Sequence, residues 1–149
     1  MCAEFALKQA ERIVRLSQAA GRPFRALIVD DEAWVGSVLA DFCRLSSAIE
    51  VDLCYNGVEA LEKLRDNTYD FATVDLVMPE LSGVETVQRM RQLRQGFPIM
   101  IVTGNATESM KRAAGCAGAR QILEKPVDVV DFLAEVATLL EATADNSVD

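Results

Sequence analysis

From about residue 25 the chain alternates between two periodicities, and this restricts its fold more than any other feature. Short β-type apolar runs fall at Ala26–Val29, Ile49–Cys54, Phe71–Val74, Ile99–Val102 and Gln121–Leu123. Helical patterns lie between and after them, at roughly 33–46, 57–66, 82–94, 106–116 and 128–142. Breakers mark the junctions: Asp66-Asn67, Gly96 with Pro98, and Gly115 to Gly118. Five strands alternating with five helices imply a doubly wound α/β architecture, a parallel sheet with helices on both faces. Near-continuous apolar strands such as Leu27-Ile28-Val29 fit burial on both sides.

The 149 residues suffice for one domain with a real core, and half of them are apolar. The net charge of −8 repels phosphate backbones and anionic lipid, so neither nucleic acid nor membrane is an expected partner. No histidine is present. That excludes Ser-His and Cys-His nucleophiles, histidine metal ligands and a phosphohistidine on this chain. The cysteines, Cys2, Cys43, Cys54 and Cys116, form no CxxC pair and read as free, buried small hydrophobes in a reducing compartment. No apolar run reaches the length of a membrane span, and the charged first residues do not resemble a signal peptide. A soluble, cytoplasmic protein is therefore expected.

Residues 1–22 read as an amphipathic helix, with Ala3, Leu7, Ala10 and Val14 on one face and Gly21 and Pro23 at its end. This segment is net basic, whereas the remainder is net acidic. The expected organisation is a helix and linker over 1–24, the α/β domain over 25–142 and a C-terminal tail over 143–149.

Ligands of open parallel sheets bind at the carboxyl ends of the strands. Asp30-Asp31 ends the first strand, Asp75 the third and Thr103 the fourth, and the fifth runs into Lys125-Pro126. Each has an ordinary explanation as a turn residue or a solvated charge. Together at one edge they carry a cost, because two carboxylates ~4 Å apart repel by roughly 4 kcal/mol at an effective dielectric near 20. A hard divalent cation such as magnesium removes that cost, and Asp30 and Asp31 suit it. Asp75 is then left as a nucleophile able to form an aspartyl-phosphate, with Thr103 and Lys125 around the phosphate.

The ordered set Asp30-Asp31, Asp75-Leu-Val-Met78-Pro79 with Gly83, Thr103-Gly104 and Lys125-Pro126 resembles the CheY-like receiver domain of two-component response regulators. The resemblance covers about residues 25–142. It implies a flavodoxin-like sheet of order 2-1-3-4-5. It implies Asp75 as phosphoacceptor, and Asp30, Asp31, Asp75 and the Val77 carbonyl as magnesium ligands. Thr103 would contact the phosphate, Lys125 would pair with it, and Pro126 would follow a cis peptide. The phosphodonor would be a sensor histidine kinase or a histidine phosphotransfer protein. Two positions depart from the family pattern. Ile122 stands where an aromatic is usual, three residues before the lysine, and Val77 stands where polar residues are frequent.

The expected function is that of a single-domain response regulator, a phosphoacceptor switch that promotes only its own phosphorylation and dephosphorylation. Its output would be a contact with another protein, and the leading helix is a candidate for self-association or for docking on the domain. One alternative is a haloacid-dehalogenase-type phosphatase, whose Asp-x-Asp nucleophile ends strand one. Another is a flavodoxin-like mononucleotide binder, which needs a phosphate loop after strand one. Trp34, beside the acidic residues, reads as a half-buried aromatic at a helix start that could also report on the pocket. Arg89, Arg91 and Arg94 read as a solvated face or a docking patch.

Overall fold

The computed structural model describes residues 2–146. The elements run α1 (Cys2–Ala20), β1 (Phe24–Val29), α2 (Ala33–Arg44), β2 (Ile49–Cys54), α3 (Gly57–Asp66), β3 (Phe71–Val74), α4 (Gly83–Leu93), β4 (Ile99–Thr103), α5 (Glu108–Ala117), β5 (Gln121–Glu124) and α6 (Val129–Asn146). All strand pairs are parallel, in the order β2-β1-β3-β4-β5. The fold expected from the sequence is present in kind and order. β1 starts earlier than its apolar run suggests, because Phe24 pairs with Ile49 and its amide donates to the Ala48 carbonyl.

Alternate residues of the central strands feed two cores. Ala26 and Ile28 of β1 face one core, which includes α2 and α6 side chains such as Leu39, Phe132 and Val136. Leu27 and Val29 face the other, with Leu64 of α3, Val87 and Met90 of α4 and Ala114 of α5. Each fully buried Leu, Ile or Phe contributes about 1.5–3 kcal/mol relative to exposure. This two-sided burial explains why the strands read as continuous apolar runs. Only the edge strand β5 alternates, with Ile122 and Glu124 outward.

Side chains cap the starts of α3, α4 and α5. Asn56 accepts from the Glu59 amide at 2.8 Å, Ser82 from Glu85 at 3.2 Å and Thr107 from Met110 at 3.1 Å. Cys43 and Cys54 are buried, and burial pushes each thiol up to about 12. Cys2 and Cys116 are exposed instead.

α1 packs on α6 and is not a detached extension. Ala6, Ala10 and Ile13 are its buried face, so the expected stripe is displaced: Ala3 and Leu7 are exposed, and Val14 is only half-buried. Ala6 and Ile13 join the same core as Leu133, Ala137 and Leu140 of α6. Arg12 closes the seam with a paired contact to one oxygen of Glu141, at 2.7 and 3.2 Å. α6 is consequently longer than expected: residues 143–146 of the expected tail continue the helix, and 147–149 lie outside the described residues. No helix among the described residues is long and apolar enough to cross a membrane.

Candidate functional site

Strand register brings the functional side chains together. The Asp30 amide donates to the Cys54 carbonyl and the Asp75 amide to Val29, which aligns the carboxyl ends of β1, β2 and β3. The Lys125 amide donates to the Thr103 carbonyl, which places the end of β5 against the end of β4. The Lys125–Pro126 peptide is cis, as expected. After β3 the chain folds back tightly, with the Gly83 amide on the Leu76 carbonyl at 3.1 Å. A Cβ at Gly83 would stand 2.3 Å from the Asp75 carbonyl oxygen, so this turn admits no side chain.

Asp75 is buried and engaged on both oxygens. Its Oδ1 accepts from the Thr103 hydroxyl at 2.8 Å and from the Val77 amide at 3.1 Å. Its Oδ2 accepts from the Lys125 ammonium at 3.0 Å. The same ammonium lies 2.7 Å from Asp30 Oδ2 and 3.3 Å from Glu32 Oε1. Asp30 is 2 % exposed, and its Oδ1 accepts from the Glu32 amide at 2.9 Å. Its Oδ2 touches Lys125 as an ion pair but out of hydrogen-bond alignment, and it has no other partner.

These contacts set the ionisation of the pocket. Burial raises the Asp30 carboxyl above its ordinary value, against the lowering effect of Lys125. Burial works against the charge on Lys125, but its close contacts with the Asp30 and Asp75 carboxylates outweigh it and raise the ammonium well above its usual range. A salt-bridged lysine thus partly neutralises the carboxylates whose repulsion the sequence suggested.

Asp30, Asp75, Thr103 and Lys125 converge as expected. Asp31 does not join them: it is exposed, and the carboxylates within 4.8 Å of one another are Asp30, Glu32 and Asp75. Glu32, which the sequence reading did not single out, is the third carboxylate of that group. Its signal was its place in the run Asp30-Asp31-Glu32, where its amide donates to Asp30 Oδ1 and its carboxylate accepts from Lys125. The Val77 amide touches Asp75 while its side chain is 43 % exposed at the rim.

The donor set is all oxygen, two of its carboxylates are buried, and one oxygen lacks a hydrogen bond, so the residues fit a hard divalent cation such as magnesium. Beside the pocket runs a mostly apolar groove of about 420 Å³, lined by Trp34, Val38 and Phe42 together with Lys125, Pro126 and Val127. Trp34 is 69 % exposed, more than a half-buried helix-start aromatic would be. The arginines of α4 have structural partners: Arg91 donates to the Phe97 and Gly118 carbonyls and Arg94 to Leu64, while Arg89 pairs loosely with Glu85.

Comparisons with known proteins agree with this geometry. A family model described as the response regulator receiver domain matches residues 26–137. Response regulator MprA from Mycobacterium sp. (strain KMS) is 33% identical over 122 residues, covering 82% of this chain and 53% of that protein. The autoinducer 2 sensor kinase/phosphatase LuxQ of Vibrio harveyi is 31% identical over 131 residues, covering 81% of this chain and 15% of that protein. The chain thus spans about half the length of the first curated relatives it matches. A crystal structure of a CheY-like response regulator receiver domain protein from Methanospirillum hungatei JF-1 superposes with a TM-score of 0.81 at 26% identity, covering 84% of this chain and 99% of that one.

Proposed function

We propose, for a chain that belongs to the response regulator receiver domain family, that Asp75 is its phosphoacceptor and that Asp30 and Asp75 hold magnesium beside it. The observation that carries this reading is the engagement of the buried Asp75 by Thr103, the Val77 amide and Lys125 at the carboxyl edge of the sheet. Asp31, at the exposed lip, and the Val77 carbonyl are the further ligands that the family resemblance supplies.

In the transfer, an Asp75 carboxylate oxygen forms a bond to phosphorus. The phosphorus–nitrogen bond of a phosphohistidine breaks, and its electron pair returns to the imidazole. From an acyl phosphate, the phosphorus–oxygen bond breaks and a carboxylate leaves. When bound, magnesium neutralises the carboxylates and the non-bridging phosphoryl oxygens. Lys125 and the Thr103 hydroxyl are placed to pair with two of those oxygens. Hydrolysis of the aspartyl-phosphate restores the carboxylate and releases phosphate. A receiver domain is a phosphoacceptor switch, not a turnover enzyme, and this one would promote only its own phosphorylation and dephosphorylation. β1 ends in Asp30-Asp31-Glu32 with no Asp-x-Asp nucleophile or phosphate loop, which disfavours the phosphatase and mononucleotide readings.

The donor is a histidine kinase or a histidine phosphotransfer protein, approaching along the groove that Lys125 helps to line. The setting is cytoplasmic, and the output is a protein contact. In this reading α1 is a docked part of the receiver, because Ala6, Ala10 and Ile13 are buried and Ala6 and Ile13 share a core with α6. The boundary at residue 24 marks a change of charge rather than of core.

The test is incubation with acetyl phosphate and magnesium, read by intact mass. One phosphoryl group, labile to hydroxylamine, is expected on the wild type and none on Asp75→Ala. Persistence of the label in that variant would overturn the assignment.

A further inference from the structure

Lys125 faces three carboxylates, and only two of them belong to the transfer site as derived above. Asp30 and Asp75 are buried; Glu32 is half exposed, 3.3 Å from the ammonium. Glu32 occupies the N-cap position of α2, where a side chain ordinarily accepts from the first turn, yet it makes no cap bond. Its own amide is fixed by Asp30 Oδ1. The result is a closed circuit: Asp30 holds the Glu32 backbone, the Glu32 carboxylate holds Lys125, and Lys125 returns to Asp30.

We infer that Glu32 is a positioning residue for Lys125, holding its ammonium at the pocket when Asp30 and Asp75 are engaged by the cation and the phosphoryl group. The inference rests on the phosphoacceptor reading. A lysine head on a flexible four-carbon stem loses rotamer freedom to remain in one place. Gly104 does not confine its stem, because a Cβ added there would stand 3.6 Å from the lysine Cβ and Cδ, an ordinary van der Waals contact. Its head is limited by carboxylates. A bound magnesium ion would compete with Lys125 for the Asp30 and Asp75 oxygens. Glu32 is then the partner left to Lys125 from the original three.

Two other roles for Glu32 predict different signs. As a source of negative potential alone, it would repel an anionic phosphodonor, and neutralising it would speed phosphorylation. As a metal ligand, its loss would weaken magnesium. As a tether, its loss slows the transfer step while leaving magnesium affinity in place. A partly exposed charge pair sets the scale at about two- to fivefold.

The experiment compares wild type, Glu32→Gln and Glu32→Asp, with Asp75→Ala as the control for the site itself. Phosphorylation by acetyl phosphate is followed at saturating magnesium, and magnesium affinity is measured from Trp34 emission or calorimetry. Lys125 side-chain order is read from the inequivalence of its ε-methylene protons by NMR in magnesium-loaded, unphosphorylated protein. Expected for Glu32→Gln are a two- to fivefold slower reaction, magnesium affinity within about twofold of wild type and averaged Lys125 ε-protons. Glu32→Asp keeps the charge but loses the reach, so it should behave like Glu32→Gln. Faster phosphorylation, a loss of magnesium affinity, or unchanged Lys125 order would each overturn the tether. If wild type takes no phosphoryl group, or Asp75→Ala still takes one, the underlying reading fails instead.

Discussion

Asp30 combines near-complete burial with a carboxylate oxygen that no hydrogen bond reaches. Its carboxyl is therefore held above the ordinary 3.8, with burial as the main cause. An acid whose proton is bound more tightly in the fold than in the unfolded chain stabilises the fold at low pH. That contribution is complete below the unfolded value and is lost as pH rises through the folded one. At neutral pH the Asp30 charge is thus a net cost to the metal-free protein, even with Lys125 beside it. Asp30→Asn removes the charge, and Lys125 retains Asp75 and Glu32. The expected outcome is a higher metal-free Tm at pH 7, by a few degrees, a difference that shrinks toward pH 4. Magnesium should stabilise wild type by mass action, about 2.7 kcal/mol at a hundred times its Kd, and this gain should be largely lost in the variant. Thermal unfolding with and without magnesium at several pH values checks both. Asp31→Asn, which the sequence alone would have nominated, should raise metal-free stability little, because Asp31 is exposed.

At the scale of elements, α1 is the segment whose role the sequence stated least well. Its helical character was legible from spacing and from the Gly21 and Pro23 stop signals. Its buried face was not, because Ala3, Ala6 and Ala10 lie close together around the helix and small side chains weigh little in a periodicity argument. The face that wins, Ala6, Ala10 and Ile13, is chosen by a partner that sequence spacing does not contain, the second apolar face of α6 at Leu133, Ala137 and Leu140. The same contact explains the extension of α6 to Asn146. Ile13 has no exposed surface, so Ile13→Ala should destabilise the whole domain by about 2–5 kcal/mol, the range for a truncated core isoleucine. Leu7→Ala, on the exposed face, should cost less than about 0.5 kcal/mol. Urea unfolding of the two variants separates an integral helix from a detached arm, for which both substitutions would be nearly silent.

Across the whole molecule, the fold and most of the pocket were readable because both follow from where strands end. Strand-terminal Asp30, Asp75, Thr103 and the Lys125 that follows β5 were brought together by parallel register alone. What escaped reading depends on side-chain direction within a turn, as with Glu32 and Asp31, or on tertiary carbonyls, as with Arg91 and Arg94. The route from pocket to output surface belongs to this scale. The Thr103 hydroxyl already sits on Asp75 Oδ1 and is buried, so phosphorylation has little inward travel left to drive. Ile122, on the edge strand β5, is β-branched, stiff at χ1, without a hydrogen-bonding group and 37 % exposed. Nothing at that position can follow Thr103 inward as an aromatic would. The loops that follow Asp75 and Thr103, Val77–Ser82 and Gly104–Thr107, are then where a phosphorylated state would differ most. Amide hydrogen exchange with and without a beryllofluoride stand-in for the phosphoryl group should show added protection concentrated in those two loops. β5 and the outer face of α6 should change little. Protection changes at β5 as large as those in the loops would mean that the switch is transmitted through the edge strand despite Ile122.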